Sequence, residues 1–125
     1  MPSHIAQWTL DVHDVALMAR FWSEALGYRI DKAADGNVHL LPPEGAPPAS
    51  PTIWLQPTGA TKRNKLRGHI DLAIEGDPAA EVERLLALGA RRADVGQTGS
   101  EPFTVLVDPE GNEFCLLDRP PAYHR

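Results

Sequence analysis

The fold is decided by Gln7–Gly27, QWTLDVHDVALMARFWSEALG, because this stretch returns 62 residues later as His69–Gly89, HIDLAIEGDPAAEVERLLALG. Each copy reads as an alternating strand, an acidic turn, an amphipathic helix and a glycine stop. Two copies fall short of the roughly three stacked units that a solenoid needs. The repeat therefore predicts two half-domains that pack face to face, with Gln7 and His69 in equivalent positions near one shared site.

Length, charge and cysteine content limit the class of protein. A chain of 125 residues is the size of a single domain, 1–125. The formal net charge of −5 argues against a nucleic-acid partner, because phosphates demand a basic face. The single cysteine, Cys115, excludes an intrachain disulfide and favours a reducing compartment. Without a signal-like N-terminus or an apolar run near ~20 residues, we expect a cytoplasmic protein with no membrane partner.

The same periodicities predict the remaining elements. Strands are predicted at Ile5–Val12, Tyr28–Asp31, Val38–Leu41, Thr52–Gln56, His69–Ile74, Thr104–Val107 and Glu113–Leu117, and helices after Asp14 and Asp77. We interpret this pattern as βαβββ twice, although only three strands of the second copy are located, with module one at about 3–57 and module two at about 68–119. The pattern predicts an α+β fold in which a curved mixed sheet carries its helices on the outer face. The proline-rich segment 42–51 is predicted to be a loop, either a solvent spacer or a lid.

Three polar residues on predicted strands suggest a site. Gln7 and His69 occupy equivalent places on the opening strands of the two halves, and Glu113 opens the last strand directly after the Asp-Pro-Glu-Gly-Asn turn. An amide oxygen, an imidazole and a carboxylate that converge can hold a divalent metal with open positions for substrate. Such a metal acts as a Lewis acid. Asp71 shares the polar face of its strand with His69 and is a candidate general base, as is Glu113.

Each of these residues also has a structural interpretation. Gln7 can line a cavity without binding a metal, and His69 can hydrogen-bond to Asp71. A salt bridge to the basic connector 62–67 is the commoner role for an aspartate such as Asp71. Cys115 shares the face of Glu113 but is expected to be a small buried residue. The alternation of the first strand places Trp8 in the core.

Three segments resemble the vicinal oxygen chelate superfamily, also called the glyoxalase/bleomycin-resistance/dioxygenase fold. They are DVALMARFWSEALGY at 14–28, GHIDLAIEG at 68–76 and VLVDPEGNEFCLL at 105–117. The resemblance spans roughly Ser3 to Arg119. Within the superfamily, the chain is similar to small bacterial glyoxalase-like domains. The resemblance implies two βαβββ modules that form a cup, a small-molecule ligand and a homodimer, formed side by side or by exchange of halves about a hinge in Thr58–Arg67.

The resemblance also implies roles for individual residues. In metal-dependent members, the first, third and fourth ligand positions correspond here to Gln7, His69 and Glu113, and the metal would be Ni, Zn, Mn or Fe. The second position falls on the strand Thr52–Gln56, where glyoxalase I enzymes carry glutamate. The candidates on the inward face there are Thr52, Trp54 and Gln56, none of them a carboxylate. True glyoxalase I activity is therefore not expected, and Thr9, Trp54 and Gln56 are assigned to a substrate pocket.

Three functions compete on this basis. The first is a metal-assisted enzyme with isomerase, lyase or dioxygenase-type chemistry on a small oxygen-rich molecule. The second is a metal-free, bleomycin-resistance-like protein that binds an antibiotic or metabolite between walls such as Trp54 and Tyr28. The third is a regulatory or structural module with a vestigial cup. The first two stand close together, with unspecified small-molecule chemistry slightly ahead, and the fold alone does not settle the function.

Overall fold

A computed structural model describes residues 1–33 and 35–119. The chain divides into two compact units, Met1–Thr61 and a second that starts at Lys62. Within the described residues, each unit contains one helix and one four-stranded mixed sheet in the order βαβββ. The predicted α+β fold class with two equivalent modules is confirmed.

The first module is a sheet with one helix packed on it. Its elements are β1 (Gln7–Val12), α1 (Val15–Leu26), β2 (Arg29–Lys32), β3 (Val38–Leu41) and β4 (Thr52–Pro57). The strands lie in the order β1-β4-β3-β2, with β1 parallel to β4 and the other pairs antiparallel. The parallel pair requires a crossover between β1 and β4, and α1 is part of it.

Local chemistry sets the limits of α1 and its buried face. The Asp14 carboxylate accepts a hydrogen bond from the Leu17 N–H at 3.0 Å, which satisfies one of the free donors at the helix start. Gly27 ends the helix at φ 70°, a left-handed conformation that glycine adopts without strain. Met18, Phe21 and Trp22 are buried and recur on one helix face. They cover the apolar face of the sheet, which leaves the opposite face for polar side chains.

The second module repeats this plan. Its elements are β5 (Ile70–Leu72), α2 (Pro78–Leu88), β6 (Arg91–Arg92), β7 (Phe103–Val107) and β8 (Glu113–Leu117). The strand order is β5-β8-β7-β6. As in the first module, the first pair, β5 with β8, is parallel, and the other described pairs of this sheet are antiparallel. Asp77 caps α2 and Pro78 occupies its first turn. Leu85 of α2 and Phe114 of β8 are buried in the core.

Three details differ from the sequence predictions. β6 was not predicted, because two residues are too short for any alternation to be visible. β5 is shorter than the predicted strand His69–Ile74. Trp8, expected in the core, is 43% exposed. The reason is that β1 is an edge strand and α1 packs mainly against β2, β3 and β4, so the start of β1 is left uncovered.

The segment 42–51 is a loop, as its prolines predict, since β3 ends at Leu41 and β4 begins at Thr52. Its end is fixed by the Tyr28 hydroxyl, which donates to the Pro51 carbonyl at 2.7 Å. Partial burial raises the pKa of Tyr28, so the hydroxyl keeps the proton that it donates. Among the described residues, no helix combines the length and apolar character needed to cross a membrane.

Candidate functional site

A cavity of about 250 Å³ lies within the second module, which we call the second-module pocket. Its polar lining consists of Lys65, His69, Asp71, Glu113 and Cys115. Apolar side chains, among them Phe103 and Val105 of β7, complete the walls. Apolar walls with a few convergent polar groups are typical of small-molecule sites.

Strand register explains why these polar residues meet. Asp71 of β5 pairs directly with Cys115 of the parallel strand β8. His69 precedes Asp71 by two residues, and Glu113 precedes Cys115 by two. Side chains two residues apart on a strand point to the same face, so all four leave the sheet on one side. The buried residues Phe114 and Leu116 point to the other side.

His69 and Asp71 interact with each other. The His69 Nε2 atom lies 3.1 Å from the Asp71 Oδ1 atom, and their side chains are 36% and 49% exposed. The pairing with Asp71 that formed the structural interpretation of His69 is therefore present as this close approach of the two side chains. Within the described chain, His69 rather than the basic connector is the ion-pair partner recorded for Asp71. Both side chains remain accessible to a ligand.

Cys115 completes a group of three donors that sequence reasoning did not identify. Potential ligand atoms of His69, Asp71 and Cys115 all lie within 4.8 Å of one another. Burial raises the pKa of the Cys115 thiol, the neighbouring Asp71 charge and hydrogen bond raise it further, and Lys65 partly offsets the rise. The thiol is therefore not an activated nucleophile. The shared face of Cys115 and Glu113 was visible in the sequence, but the register against Asp71 was not.

Glu113 is buried, and the connector neutralises it. Its Oε1 atom lies 2.7 Å from Lys62 Nζ, and the Leu66 N–H donates to both carboxylate oxygens at 3.3 Å. Burial alone would raise the pKa of Glu113. The hydrogen bonds from Lys62 and Leu66, with the charge of Lys62, outweigh burial and hold that pKa below its usual value. Glu113 is therefore an ionised carboxylate, and its negative charge is balanced by the Lys62 ammonium.

The turn before β8 positions Glu113. Asp108 is fully buried, and its Oδ1 atom accepts from the backbone N–H groups of Glu110 and Asn112, both at 3.0 Å. The Asn112 side chain donates to the same carboxylate at 2.9 Å and 3.1 Å. Gly111 adopts φ 89°, which this turn requires. The Asp-Pro-Glu-Gly-Asn motif thus forms a hydrogen-bonded turn that places Glu113 at the start of β8.

The other predicted site residues share a face of the first-module sheet. Gln7 pairs with Thr52, Thr9 pairs with Trp54, and Gln56 follows two residues later on β4. These side chains lie opposite the buried face formed by residues such as Leu55. They therefore form one polar surface in the first module, while His69, Asp71 and Glu113 form another in the second. The substrate-pocket assignment of Thr9, Trp54 and Gln56 stays a prediction.

His39 extends this surface. The rings of His39 and Trp54 meet edge to face at a centroid distance of 5.1 Å. Among the described residues, the buried His39 Nε2 atom has no hydrogen-bond partner. The sequence placed His39 on a short strand but offered no signal for its contact with Trp54, because pairing between β3 and β4 is a long-range property.

The ligand set implied by the resemblance is only partly suited to a metal. His69 presents an accessible ring nitrogen, but the Glu113 carboxylate is already bound by Lys62 and Leu66. Gln7 belongs to the first module and is exposed. The described donors that do lie together are those of His69, Asp71 and Cys115. Metal ligation by Gln7 and Glu113 stays a prediction.

Comparison with known proteins adds the family. A family model described as a Glyoxalase-like domain matches residues 7–117. No curated protein is significantly similar to the chain.

Similar solved structures share the fold at low identity. The fosfomycin resistance protein FosX from Mesorhizobium loti is 17% identical, with a TM-score of 0.72 and coverage of 100% of this chain and 98% of its own. A FosX variant from Listeria monocytogenes, complexed with Mn(II) and 1S,2S-dihydroxypropylphosphonic acid, is 18% identical, with a TM-score of 0.71 and coverage of 96% and 93%. A glyoxalase/bleomycin resistance protein/dioxygenase family enzyme from Burkholderia phytofirmans is 16% identical, with a TM-score of 0.64 and coverage of 89% and 94%.

Such identities support the fold alone, whereas the family model spans nearly the whole chain. The two βαβββ modules and the match over residues 7–117 agree. The protein is therefore a member of the Glyoxalase-like domain family, within the vicinal oxygen chelate superfamily.

Proposed function

We propose that the two modules form a single glyoxalase-like domain, 1–125, that performs metal-assisted chemistry on a small, oxygen-rich, negatively charged molecule. The observation that carries this proposal is the second-module pocket, where accessible His69 and Asp71 lie beside a cationic side chain, Lys65. Imidazole and carboxylate are common ligands of divalent metals. A lysine at the same cavity favours a substrate with a carboxylate, phosphate or phosphonate group.

The similar structures support the same class of chemistry. The Listeria monocytogenes FosX variant holds Mn(II) together with a phosphonate that carries two hydroxyl groups. That ligand combines an anionic group with neighbouring oxygens, the features that Lys65 and a metal at His69 would recognise. A bound metal would polarise a substrate oxygen as a Lewis acid.

The two candidate carboxylates for proton transfer have different environments. Asp71 is half exposed and lies 3.1 Å from His69 Nε2, whereas Glu113 is buried and kept ionised by Lys62. Two carboxylates in such different environments are suited to different roles in one site. We propose that one of them accepts the substrate proton, and that a reducing, cytoplasmic setting keeps Cys115 as a free thiol.

Metal content of the purified protein is the first test. Calorimetric titration with Ni, Zn, Mn and anaerobic ferrous iron follows, on the wild type and on His69→Ala. We expect near-stoichiometric binding that is lost in His69→Ala and kept in the matched control His4→Ala, at an exposed position near the N-terminus. Absence of binding in the wild type would contradict the metal mechanism.

A metal-free binding protein is the second candidate function, and the Lys62–Glu113 ion pair favours it. This pair already supplies a positive charge at a position where the resemblance implies a metal ligand. In this case Trp54, whose ring meets that of His39 edge to face, would form part of the ligand surface. Candidate ligands should then quench tryptophan fluorescence without metal, and Trp54→Phe should remove the response while Trp22→Phe, a change in the core, should not.

A further inference from the structure

We propose that the metal centre of the second-module pocket is formed by His69, Asp71 and Cys115, and that its thiolate makes it select zinc or cobalt over manganese. This inference rests on the proposed metal-assisted function and specifies its ligands. It differs from the set implied by the resemblance, because it replaces Gln7 and Glu113 with a carboxylate and a sulfur on the neighbouring strands.

The sheet places the three donors on one small area. His69 and Asp71 lie on the same face two residues apart, and Cys115 is the register partner of Asp71. The His69 Nε2 and Asp71 Oδ1 atoms are 3.1 Å apart, and all three ligand atoms lie within 4.8 Å of one another. Zinc bonds of about 2.0–2.3 Å place tetrahedral ligands roughly 3.3–3.8 Å apart. Small side-chain rotations of the half-exposed His69 and Asp71 would bring the three ligand atoms from within 4.8 Å of one another to these shorter separations.

Lys62 removes Glu113 from competition for the metal. The Glu113 carboxylate is buried, and it is satisfied by an ammonium at 2.7 Å and a backbone N–H at 3.3 Å. Moving it to a metal would leave the Lys62 charge and the Leu66 N–H without this acceptor, which costs free energy. Glu113 therefore stays outside the metal's ligand set.

The chemistry of the donors fixes the metal class. Thiolate and imidazole suit zinc and cobalt, whereas manganese prefers oxygen ligands. Three protein ligands leave the fourth tetrahedral position for water or substrate, as in catalytic zinc sites. Cys115 is buried while His69 and Asp71 are accessible, so that position faces the cavity. Metal binding converts the Cys115 thiol to a thiolate and releases its proton to solvent.

Cobalt(II) spectroscopy of the metal-stripped protein tests this assignment. Cys115 is the only cysteine of the chain, so a near-ultraviolet cobalt–thiolate charge-transfer band can arise from no other residue. We expect this band at one equivalent, displacement of cobalt by zinc, and no displacement by equimolar manganese. Asp71→Asn should weaken cobalt binding by more than the roughly 10- to 100-fold that loss of an outer hydrogen-bond partner costs.

Two further variants separate this inference from the proposed function. Cys115→Ser should abolish the band and Glu113→Gln should keep it, with circular dichroism to verify folding. Cobalt bound without the band, and lost in Glu113→Gln, would overturn the thiolate site but leave metal-assisted function standing. If the wild type bound manganese, nickel or ferrous iron but neither cobalt nor zinc, the thiolate site would be overturned and the metal-assisted function would stand. If it bound none of these metals, both would be overturned. Because the wild-type band is itself diagnostic, the test does not depend on folding of Cys115→Ser.

Discussion

At the residue scale, the ion pair between Lys62 and Glu113 controls the charge of the second-module pocket. The Glu113 side chain is 6% exposed and the Lys62 side chain 27% exposed, so water screens the pair only in part. Removing one member of such a pair leaves a buried charge without a partner. Lys62 therefore stabilises the buried Glu113 carboxylate, and Glu113 in turn holds the Lys62 side chain at the pocket.

We predict that Lys62→Met lowers the free energy of unfolding by about 2 kcal/mol, because it strands the Glu113 carboxylate. The matched control is Lys65→Met, three residues away, where the ammonium bonds only an exposed backbone carbonyl, that of Leu66, within the described contacts. Urea denaturation measures both variants. Adding Glu113→Leu to Lys62→Met should recover most of the loss, and an equal loss in the two lysine variants would contradict the prediction.

A second prediction concerns Glu101 and pH. Its carboxylate accepts from the Thr98 N–H at 2.7 Å, the Gly99 N–H at 2.9 Å and the Thr98 hydroxyl at 3.0 Å. These bonds, led by the one from Thr98, lower the pKa of Glu101 from 4.5 to about 2. Since the folded pKa is depressed, the contribution of this carboxylate to stability is complete above pH 4.5 and is lost as pH falls toward about 2.

Amide chemical shifts measure this loss. The Thr98 and Gly99 amide signals should titrate with a midpoint near 2 in the wild type and lose this titration in Glu101→Gln. Glu44→Gln, at an exposed position in the segment 42–51, is the control and should leave it unchanged. A wild-type midpoint near 4.5 would show that the loop bonds do not hold in solution.

The sequence predicted part of the site because alternation along a strand is local. It placed His69 and Asp71 on one face and Glu113 at the start of the last strand, and the structure has both features. Cys115 was not assigned as a donor, because its position opposite Asp71 depends on the register between β5 and β8. Lys62 was not assigned to Glu113 for a similar reason, since a polar connector shows no pattern that reveals where it docks.

At the scale of elements, capping determines how much each helix contributes. Asp14 accepts a hydrogen bond from the first turn of α1, whose other face buries Phe21 and Trp22. We predict that Asp14→Ala destabilises the protein by about 1 kcal/mol and lowers Tm by roughly 4 °C. Calorimetry measures the shift. Asp11→Ala, at an exposed position on β1, is the control and should change Tm little; equal shifts would contradict the capping role.

Helices and strands long enough to repeat their hydrophobic pattern could be predicted from the sequence, and shorter ones could not. The predicted helices and the strand Val38–Leu41 agree with the structure, since several turns or alternations repeat the same signal. β6, with two residues, carries no period. The exposure of Trp8 shows a different limit: alternation identifies a face of β1, but only the packing of α1 determines whether that face is covered.

At the scale of the whole molecule, we predict a homodimer. Both edge strands of the first-module sheet expose a large apolar residue, Trp8 on β1 and Ile30 on β2. Edge strands with uncovered apolar side chains favour association with a second copy of the chain. Sedimentation equilibrium should give twice the monomer mass, and Trp8→Glu should shift it toward monomer. Ile5→Glu, before β1 begins, is the matched control; a monomeric wild type would contradict the prediction.

The boundary between the modules has a consequence for how a dimer can form. On its first-module side, the Thr58 N–H donates to the Val12 carbonyl at 2.8 Å, and the His13 ring contacts the Ala60 carbonyl. On its second-module side, Lys62 is bound to Glu113. Only Thr61 lies between these anchors, and the hinge in Thr58–Arg67 stays a prediction. An exchange of modules between two chains would therefore have to change the backbone angles at Thr61 or break one of these contacts.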